Sequence, residues 1–116
     1  MTIWKWNDVE LEIDMEDVEF QERYEKAFEV MEDEEKKVKK IGKLSEMTRA
    51  YCDMFYHMFD SIFGEGTGDK LLGGKKNSRI VDDCYESFLK CCKQEVITSN
   101  KNRASRYQKF KLMAKR

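Results

Sequence analysis

The fold is decided where an apolar helical pattern runs into a glycine-rich loop, in the stretch Phe59-Asp60-Ser61-Ile62-Phe63-Gly64-Glu65-Gly66-Thr67-Gly68-Asp69-Lys70-Leu71-Leu72-Gly73-Gly74. Most of the chain's glycines lie in this loop, and Leu71 and Leu72 lie between them. Glycine adopts positive φ angles without steric cost, and leucine favours burial. We therefore interpret the loop as an ordered connector with both leucines in the core. Positive φ angles are expected at its glycines, Gly64, Gly66, Gly68, Gly73 and Gly74.

This loop does not fit a phosphate-binding loop. Such a loop needs two glycines five residues apart, then Lys and Ser or Thr, between a strand and a helix. Here Gly64 is followed five residues later by Asp69, then by Lys70 and Leu71, and a helical pattern precedes it. A carboxylate in that place would repel phosphates. We expect no nucleotide and no other cofactor.

Three apolar patterns with helical spacing predict three main helices, at residues 15–41, 45–63 and 78–97. Asp14 or Asp17 can cap the first helix, and Gly42 can end it. Ser45 is the predicted N-cap of the second helix, which carries two adjacent apolar stripes, the first of them starting at Leu44. A helix with two such stripes packs on more than one side, so it should be the most buried element.

Residues 2–13 predict a β-hairpin that turns at Asn7-Asp8. A two-residue turn pairs Trp6 with Val9 and places one apolar face on the helices. That face consists of Trp4, Trp6, Val9, Leu11 and Ile13. The predicted fold class is mainly α: a compact bundle of three main helices with an N-terminal β-hairpin and a basic C-terminal tail or short helix.

Charge divides the chain into an acidic start and a basic end. Residues 1–35 hold 14 Asp or Glu and three Lys or Arg, whereas residues 97–116 hold seven Lys or Arg and no acid. The acids of helix 1 fall opposite its apolar stripe, as on a solvated face. Polar residues 98–105 predict a loosened chain, with a short basic helix after it. We divide the chain into a helical domain with the hairpin, residues 1–97, and a basic extension, residues 98–116.

The basic extension contains the candidate partner-binding residues. Cations interleaved with aromatic rings can dock on an acidic protein surface or follow a nucleic-acid backbone. The basic extension can also dock on the acidic face of helix 1 in the same protein. No recognised nucleic-acid module is present. The candidate residues are Arg103, Arg106, Tyr107, Lys109, Phe110 and Lys111.

The remaining residues give little support to catalysis or to a metal site. The only histidine, His57, is five residues from Cys52, and that spacing points two helical side chains apart. Cys84, Cys91 and Cys92 lack the Cys-x₂₋₄-Cys pairs usual for zinc, so we interpret them as buried thiols. No nucleophile has a candidate base beside it. We expect a protein that is not an enzyme and holds no metal.

No apolar run reaches the length of a membrane span, and the first residues lack the layout of a signal peptide. We therefore expect a cytoplasmic protein without a membrane partner.

The stretch Phe59–Gly74, together with Asn77 and the helix Cys84-Tyr85-Glu86-Ser87-Phe88-Leu89, resembles the tail assembly chaperones of tailed phages and prophages of Gram-positive bacteria. The resemblance covers roughly residues 14–96, and Phe63–Gly66 is its most specific element. The double tryptophan and the basic extension are not features of that family.

The resemblance implies a helical, non-enzymatic protein of the host cytoplasm that binds the tape-measure protein, the tail-tube protein or both. Methionines Met47, Met54 and Met58 would suit adaptable contacts with such a client, or they fill the core. The alternative function is a small phage regulator that binds nucleic acid through its tail. Homo-oligomerisation stays open.

Overall fold

The computed structural model describes residues 1–115 and confirms the predicted fold class, a mainly helical chain with an N-terminal hairpin. Three long helices follow the hairpin, with one short helix between the second and the third. The elements are β1 (Thr2–Trp6), β2 (Val9–Ile13), α1 (Val18–Val38), α2 (Leu44–Phe63), α3 (Thr67–Leu72) and α4 (Ser78–Ala114). Within the described residues, none of the helices has the length and apolar character that crossing a membrane requires.

The hairpin has the predicted register. β1 and β2 pair antiparallel with Trp6 opposite Val9 and Thr2 opposite Ile13. Asn7 occupies the turn with a φ of 53°, a left-handed conformation that asparagine tolerates better than most residues. The apolar face lies on the helices, with Trp4 and Ile13 buried and Trp6, Val9 and Leu11 partly buried against the core.

Trp4 packs the hairpin against α2 and α4. Its ring centroid lies 5.8 Å from that of Phe59 and 5.3 Å from that of Phe88. Its indole Nε1 donates a hydrogen bond of 3.0 Å to Ser87 Oγ. A buried tryptophan thus fills the core and satisfies its one polar group. The hairpin is therefore part of the core of the domain.

The first two helices differ from the prediction at their ends. Asp17 caps α1, its carboxylate accepting from the Phe20 N–H, but the helix stops at Val38 with Lys39 as C-cap, so Gly42 does not end it. Prediction of Ser45 as the N-cap of α2 was wrong. Lys43 holds that position without a side-chain hydrogen bond, and Leu44 is 77 % exposed, outside the apolar stripe.

Burial of α2 confirms its predicted central place. Seven of its side chains are buried, more than in any other described element. Met54 and Met58 are among them, so these two methionines fill the core and are not free for adaptable contacts. Of the two interpretations left open by the sequence, core filling is confirmed for both.

The connector after α2 is ordered and contains the short helix α3. Leu71 and Leu72 are buried, as predicted. Positive φ angles occur at Gly64, Gly66, Gly73 and Gly74. Gly68 differs: it lies within α3, and a Cβ there would come within 3.0 Å of the backbone Cα and O of Tyr56. Gly68 is therefore required for the close approach of α3 to α2. Its backbone N–H also donates a hydrogen bond of 2.7 Å to Asp60 Oδ1, which stabilises this arrangement.

The largest departure from the prediction is α4. The helix starts at Ser78, as predicted, with Asn77 as its N-cap, but it continues without a break to Ala114. Residues 98–105 do not loosen the chain, and the basic end is not a separate short helix. Near residue 97, Val96 is 36 % exposed, whereas Glu95 is buried.

Candidate partner-binding surface

The end of α4 leaves the helical body and runs into solvent. Every residue from 101 to 114 is exposed, although all of them are helical. We call residues 101–114 the projecting segment. It gives the molecule extents of 69 × 30 × 21 Å and a Cα radius of gyration of 17.8 Å. A compact domain of this length would have a radius near 13 Å.

Contacts along α4 show which end of the body the projecting segment leaves. Tyr85 lies against Phe28, and Phe88 lies against Tyr24. Further along, Glu95 accepts a hydrogen bond from the backbone of Met15. The partners descend along the chain as α4 ascends, so α4 runs antiparallel to α1. The projecting segment therefore extends beyond the N-terminal end of α1.

The helix persists through residues 98–105 because nothing there breaks it. The chain contains no proline, and residues 98–105 contain no glycine. Ser, Thr and Asn cost at most about 0.7 kcal/mol each relative to Ala in a helix. Their side chains also bond within the helix: Ser99 Oγ donates to the carbonyl of Val96 at 3.3 Å, and Gln94 Nε2 donates to Thr98 Oγ1 at 3.2 Å. Polarity in this stretch reflects exposure, not a chain break.

All six predicted partner-binding residues lie on the projecting segment and are exposed, namely Arg103, Arg106, Tyr107, Lys109, Phe110 and Lys111. Helical spacing puts Tyr107, Phe110 and Ala114 on one face, with Arg106 on one side of it and Lys111 on the other. We call Tyr107, Phe110 and Ala114 the apolar stripe. Tyr107 is 61 % exposed and Phe110 is 60 % exposed.

The projecting segment makes few contacts with its own molecule. Among residues 1–115 its only ion pair joins Arg103 to Glu16 at 3.7 Å, and both side chains are largely exposed. Lys111 Nζ lies 5.3 Å from the ring centroid of Tyr107, a cation–π contact within the segment itself. The sequence prediction missed Leu112, which is 72 % exposed and faces away from the apolar stripe.

Glu95 anchors α4 just before it leaves the body. Its carboxylate is almost fully buried, and Oε2 accepts a hydrogen bond of 2.6 Å from the Met15 N–H. Oε1 lies 3.2 Å from the amino group of Met1. A buried carboxylate is costly unless it is paired in this way. The spacing Phe88, Cys92, Glu95 continues the buried stripe of α4, and this signal could have identified Glu95 from the sequence.

An acidic surface covers the outer side of α1. We define the acidic face as Glu22, Glu25, Glu29, Glu32 and Asp33, all of which are exposed. This confirms the predicted solvated face of α1, opposite the apolar residues that the helix packs on the core. Within it, Val30 lies in a shallow groove together with Glu29, Glu32 and Asp33, and Lys26 and Lys36 border the same groove. Val30 is 38 % exposed.

Cys52, Cys84 and Cys92 are buried in the core, whereas Cys91, predicted to be buried as well, is only partly buried because it lies at the edge of the buried stripe of α4. Burial raises the pKa of Cys84 and of Cys92 from 9.0 to about 12, which keeps both thiols protonated and unreactive at neutral pH. Within residues 1–115 no three His, Cys, Asp or Glu side chains converge as metal ligands. The only charged partner of His57 in that range is Glu34, 3.1 Å away.

Comparison with known proteins assigns the chain to a family without assigning an activity. No curated protein matches the chain, and no solved structure matches it either. A protein-family model matches residues 7–116, a range that includes β2, all four helices and the projecting segment. On that match, the chain belongs to DUF6673, a family of unknown function.

Proposed function

We propose that the chain is a non-catalytic protein-binding factor of phage tail assembly. It acts in the cytoplasm of the bacterial host and holds a helical client, the tape-measure protein or the tail-tube protein, through its projecting segment. The resemblance of residues 14–96 to tail assembly chaperones supports the biological setting. The observation that supports the binding mode is a helical segment that carries an apolar stripe flanked by cations and has almost no contacts of its own.

Physical chemistry favours the projecting segment as a binding element. An isolated helix of this length is marginal in water, because nucleation is costly. Here the packed part of α4 supplies the nucleus, so the segment is ordered before a client arrives. A pre-ordered element loses less conformational entropy on binding than a disordered tail. Residues at i, i+3 and i+7 of one helix face are the anchors by which helices bind in grooves.

Binding to phage structural proteins can be tested by co-purification. The chain is expressed with the tape-measure protein, or with the tail-tube protein, of the same phage or prophage genome. We expect at least one of them to co-purify with the wild-type chain. The double variant Tyr107→Ala/Phe110→Ala removes both aromatic anchors and should lose the client. Leu112→Ala is the control, because Leu112 is at least as exposed as the two aromatic residues but lies off the apolar stripe.

Two results would count against this function. If neither structural protein co-purifies with the wild-type chain, the assignment to tail assembly is wrong. If the double variant and Leu112→Ala retain the client equally well, the client binds elsewhere on the protein.

Nucleic-acid binding is the second candidate, because the cations of the projecting segment lie on all sides of the helix. The acidic face of α1 would repel a phosphate backbone, and nucleic acid leaves the apolar stripe without a role. Fluorescence anisotropy with labelled DNA and RNA oligonucleotides separates the two functions. Phosphate contacts predict affinity that falls steeply with salt, whereas anchoring by the apolar stripe predicts a weak salt dependence.

A further inference from the structure

The projecting segment and the acidic face have complementary charge and shape. The segment carries Lys101, Arg103, Arg106, Lys109 and Lys111 and no acid, while the acidic face carries five carboxylates. At 1.5 Å per residue the segment is about 20 Å long, and Glu22 to Asp33 span about 17 Å. The shallow groove around Val30, lined by three carboxylates and bordered by Lys26 and Lys36, also offers an apolar contact.

These two surfaces cannot meet within one molecule. α4 is a continuous helix to Ala114, and it extends past the N-terminal end of α1. To reach the acidic face of its own α1, the segment would have to break the helix and turn back. The contact of Arg103 with Glu16, which precedes α1, is as close as the segment comes.

We propose that a second copy of this chain receives the projecting segment on its acidic face. The apolar stripe of one copy packs on the groove around Val30 of the other. Arg106 and Lys111, on either side of that stripe, then face carboxylates of the acidic face, among them Glu29 and Asp33. When each copy does the same for its partner, the exchange closes a twofold dimer.

This inference goes beyond the client-binding function and does not rest on it. Self-association covers the apolar stripe in the absence of a client, which protects the protein from non-specific contacts. A client helix that binds the same stripe has to displace the second copy. The experiment below uses the purified chain alone, so failure of client binding would leave its outcome unchanged.

The test is sedimentation velocity at increasing protein concentration, in about 0.05 M and about 1 M salt. We expect a monomer–dimer equilibrium that shifts towards monomer at high salt. Two charge-reversal variants follow: Arg106→Glu/Lys111→Glu on the projecting segment, and Glu29→Lys/Asp33→Lys on the acidic face. Each variant alone places like charges opposite each other, so each should dimerise more than about tenfold more weakly than wild type.

Mixing the two variants gives the decisive result. In the mixture every contact joins an acidic surface to a basic one, so a heterodimer should form although neither variant dimerises alone. Lys70→Glu/Lys75→Glu is the matched control, because it makes the same change in net charge at exposed positions outside both surfaces. It should dimerise like wild type. Circular dichroism confirms that each variant remains helical.

The proposal is overturned if the wild-type chain is monomeric at every concentration. It is also overturned if the segment variant and the Lys70→Glu/Lys75→Glu control behave alike, or if the mixture stays monomeric. If a variant fails to fold, the proposal is still tested by the wild-type chain, because its dimerisation must depend on both protein concentration and salt.

Discussion

Phe59, on α2, packs against both the hairpin and α4. Its side chain is fully buried on α2, its ring lies 5.8 Å from that of Trp4 on the hairpin, and it lies 5.5 Å from that of Phe88 on α4. The first pair of rings is stacked and the second is edge-to-face, and such arrangements add to the stability that area burial provides. Loss of the Phe59 side chain should therefore weaken the packing of α2 on both the hairpin and α4.

Phe59→Ala should lower the free energy of unfolding by about 3–5 kcal/mol, because it removes a buried aromatic ring and leaves a cavity. Urea unfolding followed by circular dichroism measures the change. Phe110→Ala makes the same substitution at a side chain that is 60 % exposed, and it should change stability little. A loss below about 1 kcal/mol for Phe59→Ala would contradict the central place of this ring.

At the residue scale, the sequence predicted apolar burial better than polar burial. Leu71 and Leu72 could be placed in the core because leucine favours burial, even within a glycine-rich connector. Glu95 continues the helical spacing of the buried residues of α4, but that spacing alone did not identify it, because a carboxylate is almost never buried without a partner and its partner Met15 lies 80 residues away in the chain. Gly68 was predicted to have positive φ, whereas it is required for close approach to Tyr56, a tertiary contact that local sequence does not reveal.

At the element scale, helix and strand identity followed from local patterns, while the length of α4 did not. The hairpin register could be predicted because a two-residue turn and side-chain alternation fix it locally. α4 was predicted to stop near residue 97 because its apolar stripe fades there. The stripe reports packing on the body, and a helix that is nucleated on the body can continue beyond it. The candidate partner-binding residues were identified by charge, but their placement on a projecting helix was not.

Deletion of residues 98–116 should leave the melting temperature within a few degrees of wild type. Residues 101–114 are exposed, and their ion pair with Glu16 is worth about 0–1 kcal/mol at such exposure. For a domain of this size, about 1 kcal/mol corresponds to roughly 4–8 °C. Thermal unfolding by circular dichroism measures the change, and the native spectrum should lose helical signal. A fall of tens of degrees would show that the segment supports the body.

At the scale of the whole molecule, stability should fall in alkaline solution. Cys84 and Cys92 have a pKa of about 12 in the folded protein, against 9.0 when exposed. Between pH 9.0 and about 12 the unfolded chain loses these protons and the folded chain keeps them, so stability is lost as pH rises. Each thiol contributes a slope of up to about 1.4 kcal/mol per pH unit in this window.

The variant Cys84→Ala isolates this effect. Its free energy of unfolding should be lower than that of wild type at pH 8, because the substitution removes the buried sulfur atom and leaves a small cavity. Its decline between pH 9.0 and about 12 should be shallower, because one titrating thiol is gone. Urea titrations at several pH values, in the presence of a reductant, measure both slopes. Parallel slopes would contradict the assignment of Cys84 to a dry core.

The docking of Trp4 beside Ser87 and Phe88 also sets the order of events during synthesis. The hydrogen-bonded partner of Trp4 is 83 residues downstream. Ribosomes add about 5–20 residues per second, so the tryptophan face of the hairpin waits roughly 4–17 s for the helix on which it docks. During that interval the nascent chain exposes apolar surface that the finished protein buries. The aggregation-prone period therefore lasts at least until the part of α4 that contains Ser87 and Phe88 has been synthesised.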